Sequence, residues 1–322
     1  MLTFLQFIPF LLLVLLANYA ERQQTVRYVV YALLALMDAA CLLGSLVFAA
    51  AHVLQAYMPS ELLAFLNANL LGVAAVLFLV GAVGLAALLP PVRRWIARFT
   101  DTNPASPVGV VALSFAAYYV GASVGQVLLV GGLEGLAALP LETTLADLLL
   151  TGLAMVMFGV FGVGWPIRRT WGDTLRRLGL RRPTWRQAGF ALGAVAGFLL
   201  LDYAVAVAWH ALNPDQYDFI GRVSLGLFGE MSVAKAAAIG LSAGIGEEVL
   251  FRGAVQPRFG LWITALLFTA GHTQYGLSPA TLEILLIGIV LGIIRNRANT
   301  TTCIAIHVLY NFVDILLLPL FP

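Results

Sequence analysis

Apolar segments long enough to cross a lipid bilayer follow one another along almost the whole chain. A hydrocarbon core about 30 Å thick requires roughly 20 apolar residues per helix, and the 322-residue sequence divides into about ten such segments. Hydrophobic residues make up 61% of the chain and charged residues 11%, a composition that ordinary water-soluble domains do not reach. We therefore predict an all-α fold, a polytopic membrane helical bundle of about ten transmembrane helices.

The ten predicted spans are separated by short polar loops. They cover residues 2–19, 29–57, 62–90, 108–130, 144–167, 187–211, 232–252, 259–275, 279–294 and 300–320. The N-terminal segment lacks a basic start and a clear cleavage site, so we interpret it as a retained first span rather than a signal peptide.

The charges of the loops predict how the bundle is oriented. Arginines occupy the loops after the odd-numbered spans, and the intervening loops carry mainly acidic residues, which are Glu61, Glu134, Glu142, Asp215, Asp218 and Glu230. Since basic loops stay in the cytoplasm, both termini are predicted to lie outside. We expect an integral protein of the cell membrane, plasma or inner.

Charge and cysteine content exclude several classes of partner and site. Eighteen Lys+Arg against sixteen Asp+Glu leave a net charge of +2, and no basic tract suits a nucleic acid. The two cysteines, Cys41 and Cys303, lie in apolar runs and are interpreted as packing residues. The lipid bilayer and a membrane-associated substrate are the expected partners.

The most polar insertion divides the chain into three parts. They are an N-terminal five-span membrane region, 1–167; a basic amphipathic cytoplasmic linker, 168–186; and a C-terminal five-span region, 187–322. The linker either rests as an amphipathic helix on the cytoplasmic leaflet, with Trp171 and Trp185 at the interface, or forms an ordinary positive-inside loop.

Ionisable groups at membrane depth are costly and mark functional sites, and the stretch "GIGEEVLFRG" of span seven carries three of them. Glu248 and Arg252 are four residues apart with the acid first, which predicts an ion pair on one helical face. Glu247 is rotated by about 100° from Glu248. We therefore assign Glu248 and Arg252 to structure and Glu247 to chemistry.

Spans eight and ten add polar groups at the same four-residue spacing. In "FTAGH" Phe268 and His272 share a face, and in "HVLYN" His307 and Asn311 do. Together with Glu247, these side chains are suited to activating a water molecule and stabilising an oxyanion. Glu247 would accept the proton of the water, and His272 would orient that water or share its proton. His307 with Asn311 would donate hydrogen bonds to the tetrahedral intermediate.

The same residues also suit a metal ion, so the cofactor is left unknown, with zinc as the candidate. Two histidines and one carboxylate form a known catalytic zinc ligand set, here Glu247, His272 and His307. The sequence has no HExxH motif and no cysteine pair for zinc. The spacing does not decide between a metal-bound and a metal-free site.

Other polar residues within the spans have less defined roles. Asp314 lies seven residues after His307 and is either a partner that orients the imidazole or a link between helices. Glu283 is expected at the membrane interface. Four further residues are expected to be structural or interfacial: Asp38, Asp202, His52 and His210.

The ordered set "EEVLFR", "FTAGH" and "HVLYN" resembles the EExxxR, FxxxH and HxxxN motifs of the CPBP family. This family comprises the type II CAAX prenyl proteases and bacteriocin-processing proteins and is also called ABI. The resemblance covers about residues 230–315 and marks 187–322 as a CPBP-like catalytic membrane domain. It implies an intramembrane endopeptidase that cuts membrane-associated or prenylated, CAAX-like peptides.

The resemblance also implies a role for each motif residue. Glu247 and His272 match the water-activating pair, and His307 and Asn311 match the oxyanion or metal-binding pair. Glu248 with Arg252 matches the supporting pair. Family members are described both as metalloproteases and as metal-independent glutamate proteases, so the resemblance does not settle the cofactor.

Two alternatives use the same buried polar network without proteolysis. A transporter would distribute polar residues over the full membrane depth and in matching halves, whereas here they are concentrated in the C-terminal half. A non-catalytic scaffold would be expected to lose at least one motif residue, and all are present. For a protease, we expect an active site accessible from the cytoplasmic side.

Overall fold

The structure is a computed structural model that describes residues 2–57, 68–139 and 143–320. Regular structure in these ranges is entirely helical, which confirms the predicted all-α fold. Glu61 and Glu142, two of the loop acids, lie outside the described residues. The α-helices, numbered in chain order, are α1 Leu2–Leu5, α2 Ile8–Ala20, α3 Gln24–Leu54, α4 Leu70–Leu88, α5 Pro90–Ile96, α6 Pro107–Leu129, α7 Gly132–Ala138, α8 Leu145–Gly162, α9 Trp171–Leu178, α10 Trp185–Leu212, α11 Pro214–Phe228, α12 Val233–Glu247, α13 Gln256–Ala270, α14 Pro279–Arg297 and α15 Thr300–Leu317.

Within the described residues, seven helical segments are long and apolar enough to cross a membrane, fewer than the ten predicted spans. They include α3, α4, α6, α8, α10, α14 and α15. A bent pair, Pro214–Phe228 followed by Val233–Ala270, would make an eighth. The first predicted span is short because α2 has only 13 residues. Predicted spans seven and eight are parts of one broken segment.

That broken segment reverses direction at a glycine. Helix α12 continues into a π-helical segment, Glu248–Val255, and then into α13. Within α13, Gly260 has φ 80° and ψ 175°, a conformation open almost only to glycine. Residues 252 and 268 would be about 24 Å apart along a straight helix, yet the Arg252 guanidinium carbon lies 4.4 Å from the Phe268 ring centroid. The chain after Gly260 therefore folds back along the π-helical segment.

Glycines let α12 contact its two neighbours through the backbone. A Cβ atom on Gly244 would lie 2.6 Å from the Val308 backbone nitrogen of α15. A Cβ on Gly246 would lie 2.9 Å from the Gly152 carbonyl oxygen of α8. Small residues allow such close approach between helices in a membrane. Helix α12 is consequently packed between α8 of the N-terminal region and α15.

The polar insertion forms a short helix that packs against the C-terminal region. Helix α9 ends at Gly179, which has a left-handed conformation (φ 74°). Arg177 donates a 3.0 Å hydrogen bond to the Gly253 carbonyl, and the Thr300 hydroxyl donates one of 2.6 Å to the Leu178 carbonyl. Burial, then the neighbouring Arg258 guanidinium, lowers the pKa of Arg177 to about 10, so its charge persists at neutral pH. The insertion thus anchors the ends of the π-helical segment and α15.

Candidate active site

A cavity of about 780 Å³ lies between α8, α10, α11, α12, α14 and α15. Four of the sequence-predicted site residues line it: Glu247, His272, His307 and Asn311. The first comes from α12, the second from the end of α13 and the other two from α15. Side chains from three separate elements therefore meet in one space large enough for a peptide segment.

The reversal at Gly260 places His272 at the depth of Glu247. Phe268 lies beside Arg252, with the Phe251 and Phe268 ring centroids 5.7 Å apart. From this common level, Glu247 lies about 7 Å back along its helix and His272 about 6 Å on along the other. Because the two helical segments run antiparallel, both displacements point in the same direction, and Glu247 and His272 lie at a similar depth.

Glu247 has a half-buried side chain with an unused oxygen. Its Oε2 atom is shielded from solvent and has no hydrogen-bond partner among the described residues. The carboxylate lies within Coulombic range of the Tyr119 hydroxyl of α6. Buried carboxylate oxygens are normally paired, so an unpaired one that borders a cavity is available to a water molecule or substrate.

Glu248, by contrast, is fully buried and does not line the cavity. Its Oε2 lies 3.4 Å from Nε of Arg252, which is also fully buried. Arg252 donates a 3.1 Å hydrogen bond to the Gly288 carbonyl of α14 and lies over the Phe268 ring. This pair links the π-helical segment to α13 and α14.

His307 is oriented by Glu248, a contact that the sequence analysis missed. The His307 Nδ1 lies 2.9 Å from Glu248 Oε1. A carboxylate paired with Arg252 can only accept a hydrogen bond, so Nδ1 donates and Nε2 is left for the cavity. The proposed role of Asp314 in orienting this imidazole is wrong, because Glu248 occupies that position.

His272 is oriented by its own helix. Its Nδ1 lies 2.9 Å from the Phe268 carbonyl oxygen, which makes Nδ1 the donor and leaves the Nε2 lone pair of the neutral ring free. The Phe268 ring packs against both histidines, with centroid distances of 5.1 Å to His272 and 6.0 Å to His307. Phe268, part of the FTAGH motif, thus restricts the positions of both imidazoles.

The predicted zinc ligands line the same cavity. Glu247, His272 and His307 are chemically suited to zinc. No three His, Cys, Asp or Glu side chains in the described ranges are grouped so that they would hold a metal ion. The use of zinc at this site stays a prediction.

Three carboxyl groups gather in another part of the cavity wall. They belong to Asp202 of α10, Glu283 of α14 and Asp314 of α15. Asp202 lies within Coulombic range of both of the others. Glu283 is only 8% exposed, so its side chain packs within the protein, and its position at the membrane interface stays a prediction. Because the three acids come from different helices, no spacing in the sequence indicates that they meet.

Asp38 and the two cysteines do not line the cavity. Asp38 is buried in the N-terminal region, where it accepts a hydrogen bond from Tyr118. Cys303 packs in a buried cluster with Ile287 and Leu291, and both cysteines are free thiols. The interpretation of Cys303 as a packing residue agrees with this placement.

Comparison with known proteins identifies a family for the C-terminal region. Residues 229–313 match a family described as "Type II CAAX prenyl endopeptidase Rce1-like". This range contains all three motifs, and the match confirms the predicted family. No curated protein and no solved structure was found to match the chain.

Proposed function

We propose that this chain, whose residues 229–313 match the type II CAAX prenyl endopeptidase Rce1-like family, hydrolyses peptide bonds of membrane-associated or prenylated, CAAX-like peptides. One observation carries the proposal. The unpaired, buried carboxylate oxygen of Glu247 borders the cavity that His272, His307 and Asn311 also line. A general base needs such an oxygen within reach of the water that it deprotonates.

In this reaction Glu247 accepts a proton from a water molecule, whose oxygen then bonds to the carbonyl carbon of the scissile peptide bond. The free Nε2 of His272 accepts a hydrogen bond from the same water and orients it. The carbonyl π electrons move to the oxygen and produce a tetrahedral oxyanion. When the carbon–nitrogen bond breaks, the leaving amine takes the proton that Glu247 had accepted.

His307 and Asn311 stabilise the oxyanion. Asn311 lies four residues after His307 on α15, so both side chains reach the same part of the cavity. The Asn311 amide donates directly. Because Nδ1 of His307 already donates to the Glu248 carboxylate, the ring donates from Nε2 when it carries both ring protons. Glu248 thus supports the reaction through His307 without contacting substrate.

We propose a mechanism without a metal, which is supported by the lack of a metal-ligand group among the described residues. A metal ion would otherwise activate the water and stabilise the oxyanion. Here Glu247 can serve as the base, and His307 and Asn311 can serve as the oxyanion donors. We therefore favour the glutamate protease of the two mechanisms that the sequence leaves open. Activity is expected to persist after zinc is removed.

The lining of the cavity favours a direction of substrate entry. It includes Thr143, Gly229 and Leu318, which lie at helix ends remote from the arginine-rich loops. None of the lining residues is an arginine. We infer entry from the side opposite the arginines, in contrast to the cytoplasmic access expected from the sequence.

The proposal is tested by incubating the purified full chain with a fluorogenic library of prenylated and unprenylated peptides. Glu247→Gln should lower the cleavage rate by about 10³-fold, since it removes the general base. Its melting temperature should stay within about 2 °C of wild type, which corresponds to a change of about 0.5 kcal/mol in the free energy of unfolding. Glu134→Gln, an exposed acid outside the cavity, is the matched control. Cleavage retained by Glu247→Gln would overturn the assignment, and no cleavage by wild type would favour the scaffold or transport alternatives.

A further inference from the structure

The carboxyl groups of Asp202, Glu283 and Asp314 have no described role in peptide hydrolysis. Asp202 lies within Coulombic range of the other two, and all three line the cavity. Carboxylates gathered in this way repel one another when they are ionised. A positively charged ligand would offset that repulsion.

Two oxygens of this cluster lack partners. Glu283 is 8% exposed and lines the cavity, and its Oε1 has no hydrogen-bond partner among the described residues. Oδ1 of Asp314 is likewise shielded and unpartnered. A buried acceptor without a donor costs about 1–3 kcal/mol. A ligand that supplies the missing donor would remove this cost.

The surroundings of the cluster lack a cation and contain aromatic rings. Among the described lining residues there is no lysine or arginine. Tyr275 and Tyr310 line the same wall within Coulombic range of the acids. Burial, then the Asp314 carboxylate, raises the pKa of Tyr275 to about 12, so its ring stays neutral. Carboxylates beside neutral tyrosine rings are a typical environment for an organic cation.

A metal ion fits this wall less well than an organic cation does. No group of three His, Cys, Asp or Glu side chains in the described parts of the chain is arranged for metal binding. An ammonium or guanidinium group, in contrast, donates several hydrogen bonds over a wider spacing. The unpartnered oxygens of Glu283 and Asp314 are acceptors for such donors.

The cluster lies close to the reacting groups along α15. Asp314 follows Asn311 by three residues, a rise of about 4.5 Å, and follows His307 by seven, a rise of about 10 Å. An extended peptide covers roughly 3.3–3.6 Å per residue. A side chain one to three residues from the scissile bond therefore reaches the cluster.

We propose that Asp202, Glu283 and Asp314 form a subsite for a positively charged group of the substrate, a lysine or arginine side chain within three residues of the cleaved bond. This inference rests on the proposed peptidase function and specifies its substrate class. Glu283 and Asp314 contact the cation, and Asp202 positions both.

The test compares matched peptides that differ at one position near the scissile bond. Lysine is exchanged for norleucine and arginine for citrulline, which keep the length and remove the charge. For wild type, kcat/KM should be about tenfold or more higher for the charged peptide, as expected for a charge-assisted contact. In the double variant Glu283→Gln/Asp314→Asn this ratio should fall to about one. The single variant Glu283→Asp, which keeps the negative charge, should retain part of the wild-type ratio. Asp215→Asn, an exposed acid outside the cavity, should keep the wild-type ratio.

A binding measurement separates failure of the subsite from failure of the peptidase proposal. Hexylammonium should raise the melting temperature of wild type more than 1-hexanol does, and the double variant should lose this difference. Equal kcat/KM values for charged and neutral peptides would overturn the subsite while leaving the peptidase intact. If wild type cleaves no peptide, the peptidase proposal fails, and the hexylammonium shift alone then decides whether the cation site exists. No difference between the two additives would overturn it.

Discussion

Glu247 and Glu248 are neighbours in the chain but lie in opposite environments. Glu248 is fully buried between Arg252 and His307, whereas Glu247 borders the cavity with an unpaired oxygen. The rotation of about 100° between adjacent helical residues is enough to place the two carboxylates in these different environments. The sequence indicated this division, since only Glu248 shares a face with Arg252.

Substitution of Glu248 should affect stability more than substitution of Glu247. Glu248→Gln removes a charge that neutralises Arg252 and accepts from His307, and breaking a buried pair costs about 3–5 kcal/mol. We expect a lower free energy of unfolding and reduced activity. Thermal unfolding in one detergent, measured beside Glu247→Gln, gives the comparison. Equal melting temperatures for the two variants would contradict the division of roles.

Within single helices, the sequence predicted which side chains share a face, but contacts between helices were not predictable. The pairs Glu248–Arg252 and His307–Asn311 follow from a four-residue spacing. The His307–Glu248 contact and the cluster of Asp202, Glu283 and Asp314 depend on how helices rotate against one another. That rotation is set by packing, for which one sequence carries no periodic signal.

At the scale of elements, glycine positions decide how the site is assembled. Gly260 permits the reversal that brings His272 beside α12, and Gly244 lets α15 approach closely enough to present His307. The predicted spans seven and eight meet at this reversal, although their bounds did not identify Gly260 as its position. Hydropathy detects apolar length but not a backbone reversal at a single glycine.

The close contact of α12 with α15 should be sensitive to one methyl group. Gly244→Ala places a carbon 2.6 Å from the Val308 nitrogen, which should displace α15 and cost about 1–3 kcal/mol. Since His307 precedes Val308, we also expect about a tenfold or greater loss of kcat from misplaced groups. Unfolding and single-turnover cleavage measure the two effects.

Gly197→Ala on α10 is the matched control, because a Cβ there has no atom within 4 Å. The alanine should leave stability unchanged or raise it by up to about 1 kcal/mol. Identical effects of the two substitutions would show that helix propensity, rather than the α12–α15 contact, determines the response.

At the scale of the whole molecule, the N-terminal region forms part of the wall around the site. Helix α8 contributes Thr151 and Met155 to the cavity, and Tyr119 of α6 lies against Gly271, next to His272. The sequence analysis found no motif in this region and left its role open. Its contribution is shape and enclosure, which apolar and small residues provide without a recognisable pattern.

The orientation of the bundle is testable independently of catalysis. Positive-inside loops predict that Arg297 lies in the cytoplasm and Asp215 outside; both side chains are exposed. Asp215→Cys should react with a membrane-impermeant maleimide in intact cells, and Arg297→Cys only after permeabilisation. The native thiols serve as a background control in the unsubstituted chain. The reverse labelling pattern would place the cavity entrance in the cytoplasm.

The central claim is that Glu247, and not a metal ion, activates the water. The most direct measurement is the cleavage rate of one substrate peptide by wild type and Glu247→Gln after verified removal of metal, with zinc added back in a parallel sample. The account predicts an unchanged rate for metal-free wild type and a loss of about 10³-fold for the variant. Loss of wild-type activity on metal removal, restored by zinc, would contradict it.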